Sequence, residues 1–344
     1  MSAFELYPWQ HEAWAQLMHD PARLPHALLL TGEPGIGKRR FADRLAAWFL
    51  CEAADRSTAP CGGCDGCRWQ LAGNHPDFRL LSPDDGEADE SEEGAKPDTK
   101  AKKKSAIINV ENVRELTDFV QLTSHRAGSR VTLVCPAEAM NTAAANAFLK
   151  TLEEPPQGAR FILVSHHWRR LLPTVRSRCR VFALPQPDLA AASQWLAEQG
   201  VVDPALHLAH TGGSPLAALE DASAEWLPLR ASLLEHLGNP GALDVLAVAA
   251  EFDRAKVEMA LLVEWLQKWV HDLVSLGLTG KVRYYPDCRE ALSRLAPRAA
   301  GMTAYAERLF DAKKLAHHPL NARLVIESLL FDYLAALKSA GSPR

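Results

Sequence analysis

Short apolar runs alternate with helical patterns along the first half of the chain. Residues 38–50 place Phe41, Leu45 and Trp48 on one helical face, directly after an apolar run and a glycine-rich turn. Runs typical of strands buried in a parallel sheet occur at 26–31, 78–81, 107–110, 131–135, 161–164 and 181–184. The alternation predicts a doubly wound α/β sheet domain over residues 1–184.

The pattern becomes purely helical after Pro185. A short amphipathic helix over 190–199 is followed by a helical stretch at 207–219, which is interrupted near Gly212 and Gly213. Residues 224–338 then show helical patterns alone. The sequence therefore predicts a small helical module at 185–222 and an all-helical domain at 223–344, giving an α/β plus all-α protein.

One internal segment, residues 82–106, has no large apolar residue. Its eight acidic residues come mostly before its five lysines. Such a segment cannot bury enough surface to offset the entropy lost on ordering, so we predict a disordered surface insertion. The run Lys102 to Lys104 has two interpretations: a contact with DNA phosphates, or part of a solvated insertion whose halves attract each other. The composition favours the second.

The composition narrows the class of protein. The 344 residues are 47% hydrophobic and 23% charged, which is ordinary for a globular protein and excludes a wholly disordered or collagen-like chain. The net charge of −4 argues against a strongly basic protein that binds DNA on its own. No run of 18 apolar residues occurs and the start does not resemble a secretory signal, so we expect a cytoplasmic protein with no membrane span.

Four of the seven cysteines form a tight group: Cys51, Cys61, Cys64 and Cys67. Glycines between the last three allow the turns that a tetrahedral site of four sulfurs needs. Such a group favours Zn²⁺, with an iron–sulfur cluster as the less favoured alternative. Because no coordination position stays open, we expect a structural role. The remaining cysteines, whose scatter does not suggest a disulfide framework, are Cys135, Cys179 and Cys288.

A glycine-rich loop between the first strand and the helix at 38–50 fits the phosphate-binding pattern G-x4-G-K. Its defining residues are Gly32, Gly35, Gly37 and Lys38. The next position, which holds Mg²⁺ through a hydroxyl in an active loop, is Arg39, and a guanidinium cannot ligate a metal. We therefore expect weak nucleotide binding or none.

The strand that should carry the acidic residues of an ATPase is 131–135. It ends in Cys135 and Pro136 where those acids are expected, and Glu138 comes two residues later, where it would need a shifted backbone to serve. Loop and strand thus depart independently from the requirements of ATP hydrolysis. We expect no hydrolysis by this chain alone.

Two further strings carry a family resemblance: NAFLKTLEEPP at 146–156 and Ser177-Arg178-Cys179. Together with the glycine loop and the cysteine group, they resemble the clamp-loader subunits of bacterial DNA polymerase III. These are AAA+ proteins with a zinc module in the first domain. The resemblance covers nearly the whole chain. It implies an AAA+ domain at 1–184 with a zinc module at 51–67, a helical lid at 185–222 and an oligomerising helical collar at 223–344.

The departures from the motor subunits gamma/tau are specific. They fall at Arg39, at the Cys135-Pro136 strand end and at Leu216, where a motor subunit would place an arginine against the γ-phosphate. The resemblance therefore implies a noncatalytic, stationary member of a hetero-pentamer with gamma/tau and delta, which helps to load the sliding clamp onto primer-template DNA. Polymerase nucleotidyl transfer then resides in another subunit. The alternative is an ATP-hydrolysing motor subunit.

Arg178 is the residue to which the resemblance gives a catalytic role. An arginine finger supplied in trans stabilises charge that develops on a neighbour's γ-phosphate, and a guanidinium suits this task because it is always charged and forked. The alternative is membership of a solvated or DNA-contacting basic rim formed with Arg169, Arg170, Arg176 and Arg180.

Overall fold

The computed structural model describes residues 4–83, 107–122, 128–315 and 321–339. The chain divides into two compact units, residues 1–191 and 192–344. The predicted insertion at 82–106 lies outside the described residues except for its first two positions. The further division of the second unit into lid and collar stays a prediction.

The first unit contains a parallel sheet with helices on both faces. Its elements are α1 (His11–Leu17), β1 (Ala27–Thr31), α2 (Lys38–Leu50), α3 (Asp65–Leu71), β2 (Phe78–Leu81), α4 (Val110–Gln121), β3 (Arg130–Val134), α5 (Thr142–Glu153), β4 (Ala159–Val164), α6 (Pro173–Arg176) and β5 (Arg180–Ala183). The five strands lie in the order β2-β3-β4-β1-β5, and every neighbouring pair is parallel.

The central strands β1 and β3 are buried along their whole length. One face of the sheet packs against α1 and α2 through residues such as Leu17, Phe41 and Leu45. The other face packs against α4 and α5 through residues such as Val113 and Phe148. Burial on both faces explains why these strands appear as unbroken apolar runs, and it confirms the predicted α/β sheet.

One predicted strand, 107–110, is wrong. Ile108 is fully buried but forms only an isolated bridge with Met140, and helix α4 begins at Val110. Asn109 caps this helix through the backbone N–H of Asn112, and Asn112 bonds back to the N–H of Asn109. The reciprocal cap commits the segment to a helix start, which ends any extended run.

The second unit is helical throughout its described residues, as predicted. Its helices are α7 (Leu189–Glu198), which crosses the boundary from the first unit, α8 (Pro204–His210), α9 (Pro215–Ala222), α10 (Leu227–Gly238), α11 (Val245–Arg254), α12 (Met259–Thr279), α13 (Arg289–Leu295), α14 (Met302–Leu315) and α15 (Ala322–Ser339).

Aromatic side chains fill the core of the second unit. The Trp269 indole N–H donates to the Tyr333 hydroxyl at 3.0 Å, and that hydroxyl donates to the Leu237 carbonyl at 2.8 Å. Buried Tyr333 and Trp269 therefore leave no polar atom of this chain of bonds without a partner. None of the helices within the described residues is long and apolar enough to cross a membrane.

Candidate functional site

The glycine loop, residues 32–37, joins the carboxyl end of β1 to the first turn of α2. Gly32, Gly35 and Gly37 have φ angles of 144°, 72° and 85°. A Cβ on Gly32 would lie 3.0 Å from the Leu184 carbonyl oxygen. These positions therefore require glycine, and the loop has the strand–loop–helix context that the sequence predicts.

The segment before α1 covers this loop. The Trp9 indole N–H and the Gln10 side-chain amide both donate to the Ile36 carbonyl at 3.0 Å. The same amide donates to the Gly37 carbonyl at 2.9 Å, and a Cβ on Gly37 would lie 2.5 Å from the Tyr7 ring. The end of the loop next to α2 is thus held by contacts with a distant segment, which no sequence pattern predicts.

The loop lysine turns back onto its own loop. Lys38 is 2% exposed, and its Nζ donates to the carbonyl oxygens of Gly32 at 2.7 Å and Glu33 at 2.5 Å. Burial lowers the pKa of Lys38 to about 8, with the Glu138 carboxylate acting in the opposite direction. The ammonium group is therefore engaged by backbone carbonyls.

Arg39 stands where an active loop carries a hydroxyl. Its Nε donates to the two carboxylate oxygens of Asp43, one turn along α2, at 3.0 and 3.1 Å. Burial raises the pKa of Asp43, and the Arg39 charge opposes that rise. The side chain is thus held along the helix by an ion pair, and it has no oxygen with which to hold a cation.

Glu138 lies near the loop lysine, at the carboxyl ends of β3 and β4. Its Oε1 accepts the backbone N–H groups of His166 at 2.8 Å and His167 at 2.9 Å. Burial raises the pKa of Glu138, but the nearby Ser165 hydroxyl and these backbone N–H groups outweigh it, so the pKa lies below its usual value. Sequence reasoning noted this carboxylate but did not place it beside Lys38.

The candidate finger Arg178 lies in the turn between α6 and β5. Its Nη1 donates to the Thr174 carbonyl at 2.9 Å, and the Ser177 hydroxyl donates to the same carbonyl at 3.0 Å. Its Nη2 forms an ion pair with Glu153, the last residue of α5. Cys179 is buried in the sheet core, which raises the pKa of its thiol to about 12. Ser177 and Cys179 therefore hold the turn in place, and the side chain of Arg178 remains one third exposed.

Arg178 and the glycine loop lie at opposite ends of the parallel strands. The register pairs Leu28 with Arg180 and Thr31 with Ala183. Arg178 therefore precedes β5 at the amino-terminal ends of the parallel strands, whereas the loop follows β1 at their carboxyl-terminal ends. Strands of four to five residues, at about 3.3 Å per residue, separate these two ends by roughly 15 Å, which an arginine side chain does not span.

The other arginines of the basic rim have different surroundings. Arg169 and Arg176 stack over the Trp168 ring, with guanidinium-to-centroid distances of 5.4 and 5.1 Å. Arg170 and Arg180 are exposed. Within the described residues, Arg178 is the rim arginine that forms an ion pair with a carboxylate.

The four cysteines of the predicted metal site converge. Cys51 follows the end of α2, Cys64 caps α3, and the Sγ atoms of all four lie within 4.8 Å of one another. The Sγ atoms of Cys61 and Cys67 are 4.0 Å apart, and those of Cys64 and Cys51 are 3.9 Å apart. A tetrahedral zinc site with bonds of about 2.3 Å has sulfur–sulfur edges of about 3.8 Å, so the group could hold a metal ion.

Backbone N–H groups point at three of these sulfurs. The N–H groups of Cys64 and Cys67 donate to the sulfurs of Cys61 and Cys64 at 3.4 Å, and that of Cys61 donates to Cys51 at 3.5 Å. Such bonds lower the pKa of Cys61 to about 6, whereas burial raises the pKa values of Cys51 and Cys67. The donor set suits a cation that stabilises thiolates.

A parallel sheet whose first strand leads through a G-x4-G-K loop into the next helix is the arrangement of P-loop α/β proteins. The family profile described as "DNA polymerase III, delta subunit" matches residues 9–188. The "DNA polymerase III subunit delta'" of Pseudomonas aeruginosa is 35% identical over 98% of this chain and 99% of its own length. The chain belongs to the family of DNA polymerase III delta' subunits.

The chain is also similar to two more distant proteins. The "DNA polymerase III subunit tau" of Escherichia coli is 33% identical over 48% of this chain and 23% of its own length. A crystal structure of a DNA polymerase III gamma subunit-related protein from Thermotoga maritima is 15% identical. It covers 95% of this chain and 99% of the other, with a TM-score of 0.44.

Proposed function

We propose that this chain is the noncatalytic stator of a DNA polymerase III clamp loader and supplies Arg178 in trans to an ATP site on a neighbouring subunit. The observation that carries the proposal is that Arg178 lies at the opposite end of the strands from its own glycine loop. An arginine finger acts on the phosphate that it can reach, so its target is a site on another protomer. The ion pair with Glu153 and its partial exposure keep the guanidinium ordered and accessible.

The chain's own loop supports a stationary role. Lys38 is bonded to loop carbonyls, Arg39 is bonded to Asp43, and one carboxylate oxygen of Glu138 accepts two backbone N–H groups. Hydrolysis of ATP needs a cation held near the γ-phosphate and an acid that orients the attacking water. Gly32, Gly35, Gly37 and Lys38 thus form a degenerate loop with weak affinity for nucleotide or none.

Cys51, Cys61, Cys64 and Cys67 form a structural Zn²⁺ site under this proposal. The sulfur–sulfur distances and the backbone N–H groups that face the sulfurs support it. Four cysteine ligands close the coordination sphere, so the ion would stabilise the fold without binding substrate. Between α2 and α3 it would fix residues 51–67 against the sheet domain.

The partners follow from the family and from the likeness to tau. We propose an AAA+ domain at 1–184, a lid at 185–222 and a collar at 223–344, assembled with gamma/tau and delta in a cytoplasmic hetero-pentamer. The sliding clamp and primer-template DNA are partners of the whole complex. Nucleotidyl transfer by the polymerase belongs to another subunit.

Reconstitution with the tau and delta subunits of the same organism tests the proposal. Clamp loading onto primed DNA should fall at least tenfold with Arg178→Ala, because a finger in trans is worth about 10³–10⁵ in rate in GTPases. Arg170→Ala, at an exposed position on the same rim, is the control and should load normally. Unchanged loading with Arg178→Ala would contradict the finger.

The alternative motor function draws on one observation, the proximity of Glu138 to Lys38. A motor would hydrolyse ATP alone in a Mg²⁺-dependent manner. We expect the purified chain to show no such turnover above background, and turnover that Lys38→Met abolishes would replace the stator with a motor.

A further inference from the structure

The last residue of α5, Glu153, is an acid at a helix end that disfavours acids. The carbonyl groups at the carboxyl terminus of a helix carry partial negative charge, which repels a carboxylate. The ion pair with Arg178 offsets this repulsion. The next residue, Glu154, is also exposed, but among the described residues no side chain pairs with its carboxylate. Two adjacent acids thus share one helix end, and only one of them contacts the arginine.

The carboxyl end of α5, which carries Glu153, is held in place by buried contacts. The preceding residue, Leu152, is 1% exposed, and its carbonyl accepts a hydrogen bond from His26 Nε2 at 3.1 Å. His26 directly precedes β1, so the end of α5 is tied to the central part of the sheet. Phe148, one turn earlier, is fully buried. The backbone that carries the Glu153 carboxylate therefore has a defined position relative to the strands.

The Arg178 guanidinium is held from two sides. The Thr174 carbonyl accepts from Nη1 at 2.9 Å, and Glu153 accepts from Nη2. Nη1 also donates to the Ser177 hydroxyl at 3.4 Å, so of the five N–H donors of the guanidinium two remain for a phosphate. An unheld arginine samples many rotamers, and their restriction in the transition state would oppose catalysis. Because the two contacts already restrict the rotamers of Arg178, less conformational entropy is lost when the transition state forms.

We propose that Glu153 is a positioning residue that orients Arg178 toward the γ-phosphate bound by the neighbouring subunit. This inference rests on the proposed function of Arg178 as a finger. The pair is 33% and 46% exposed, so water screens the attraction and the carboxylate does not compete strongly with a phosphate for the arginine. This exposure favours orientation over sequestration.

The test uses the clamp loader rebuilt with tau, delta, clamp and primed DNA, and rapid-quench measurement of the ATP hydrolysed in one turnover. Glu153→Gln removes the charge and keeps the shape. We expect one ATP per complex to move into a phase about 3- to 5-fold slower, as expected for losing an exposed charge-assisted bond, with ATP affinity changed less than twofold. Glu154→Gln is the matched control and should leave every rate unchanged.

A double-mutant cycle separates this inference from the proposed function. If Arg178→Ala leaves the fast phase intact, the finger itself is wrong. If Arg178→Ala removes it but Glu153→Gln behaves as wild type, or hydrolyses faster, the finger stands and the positioning role fails. Glu153→Gln should have no effect in the Arg178→Ala background, because its role acts only through that arginine. An equal slowing in both backgrounds would indicate a structural effect and overturn the inference.

Discussion

A buried ion pair in the second unit allows a quantitative test of what holds α8, α9 and α10 together. Arg230 of α10 donates to the two carboxylate oxygens of Asp221 of α9 at 2.5 and 3.1 Å, and both residues are 5% exposed. His207 of α8 donates to the same carboxylate at 2.8 Å. A single acid therefore joins three helices.

Asp221→Asn leaves the Arg230 charge buried without its counter-ion. Removing one partner of a buried pair costs about 3–5 kcal/mol, and because asparagine keeps one acceptor oxygen we expect about 3 kcal/mol. Glu220→Gln removes the same charge from the adjacent exposed position and should change stability by less than about 0.5 kcal/mol.

Native-state hydrogen exchange of the full chain measures this locally. A loss of about 3 kcal/mol corresponds to roughly a hundredfold loss of amide protection in α10. A loss below about 1 kcal/mol, or an equal loss with Glu220→Gln, would refute the reasoning from burial, since exposed pairs contribute no more than that.

The same pair predicts a pH dependence. Burial raises the pKa of Asp221, but the neighbouring His210 and the hydrogen bonds from Arg230 and His207 outweigh it and hold the pKa well below its usual range. A pKa depressed by folding stabilises the protein above the unfolded value of about 3.9, and this stabilisation is lost as the pH falls further. The difference between wild type and Asp221→Asn should therefore shrink below about pH 4, and a constant difference would contradict this assignment.

Two further substitutions test the cysteine group and the glycine loop. Cys64→Ser should reduce zinc from one ion per chain to near none by elemental analysis, whereas Cys288→Ser should keep it; zinc retained by Cys64→Ser, or iron with visible absorbance, would contradict the site. Gly37→Ala should lower stability by about 1–3 kcal/mol more than Gly200→Ala in thermal melting, because both have a φ of 85° but only the first Cβ would meet a ring, that of Tyr7. Equal losses would show that the segment before α1 does not cover the loop.

The parallel sheet could be predicted because its central strands are buried on both faces and therefore appear as apolar runs. The error at 107–110 has a local cause. Ile108 is buried in the sheet domain like a strand residue, but the Asn109 and Asn112 side chains start a helix immediately after it. The signal was present in the two asparagines three positions apart, and the apolar run concealed it.

The candidate sites divide in the same way. The cysteine group and the glycine loop are short-range patterns, so the sequence predicts which residues meet. Contacts between distant segments leave no such pattern: the bonds from Gln10 to the loop and the pair of Arg178 with Glu153 each join residues about 25 apart. Glu153 had one readable signal, an acid at the carboxyl end of a helix.

The most direct test of the central claim compares Lys38→Met with Arg178→Ala in the rebuilt clamp loader, by rapid-quench measurement of ATP hydrolysis. If this chain supplies a finger and hydrolyses nothing itself, Lys38→Met will match wild type, and Arg178→Ala will remove one ATP per complex from the fast phase. An intact fast phase with Arg178→Ala, or loss of an ATP with Lys38→Met, would contradict the account.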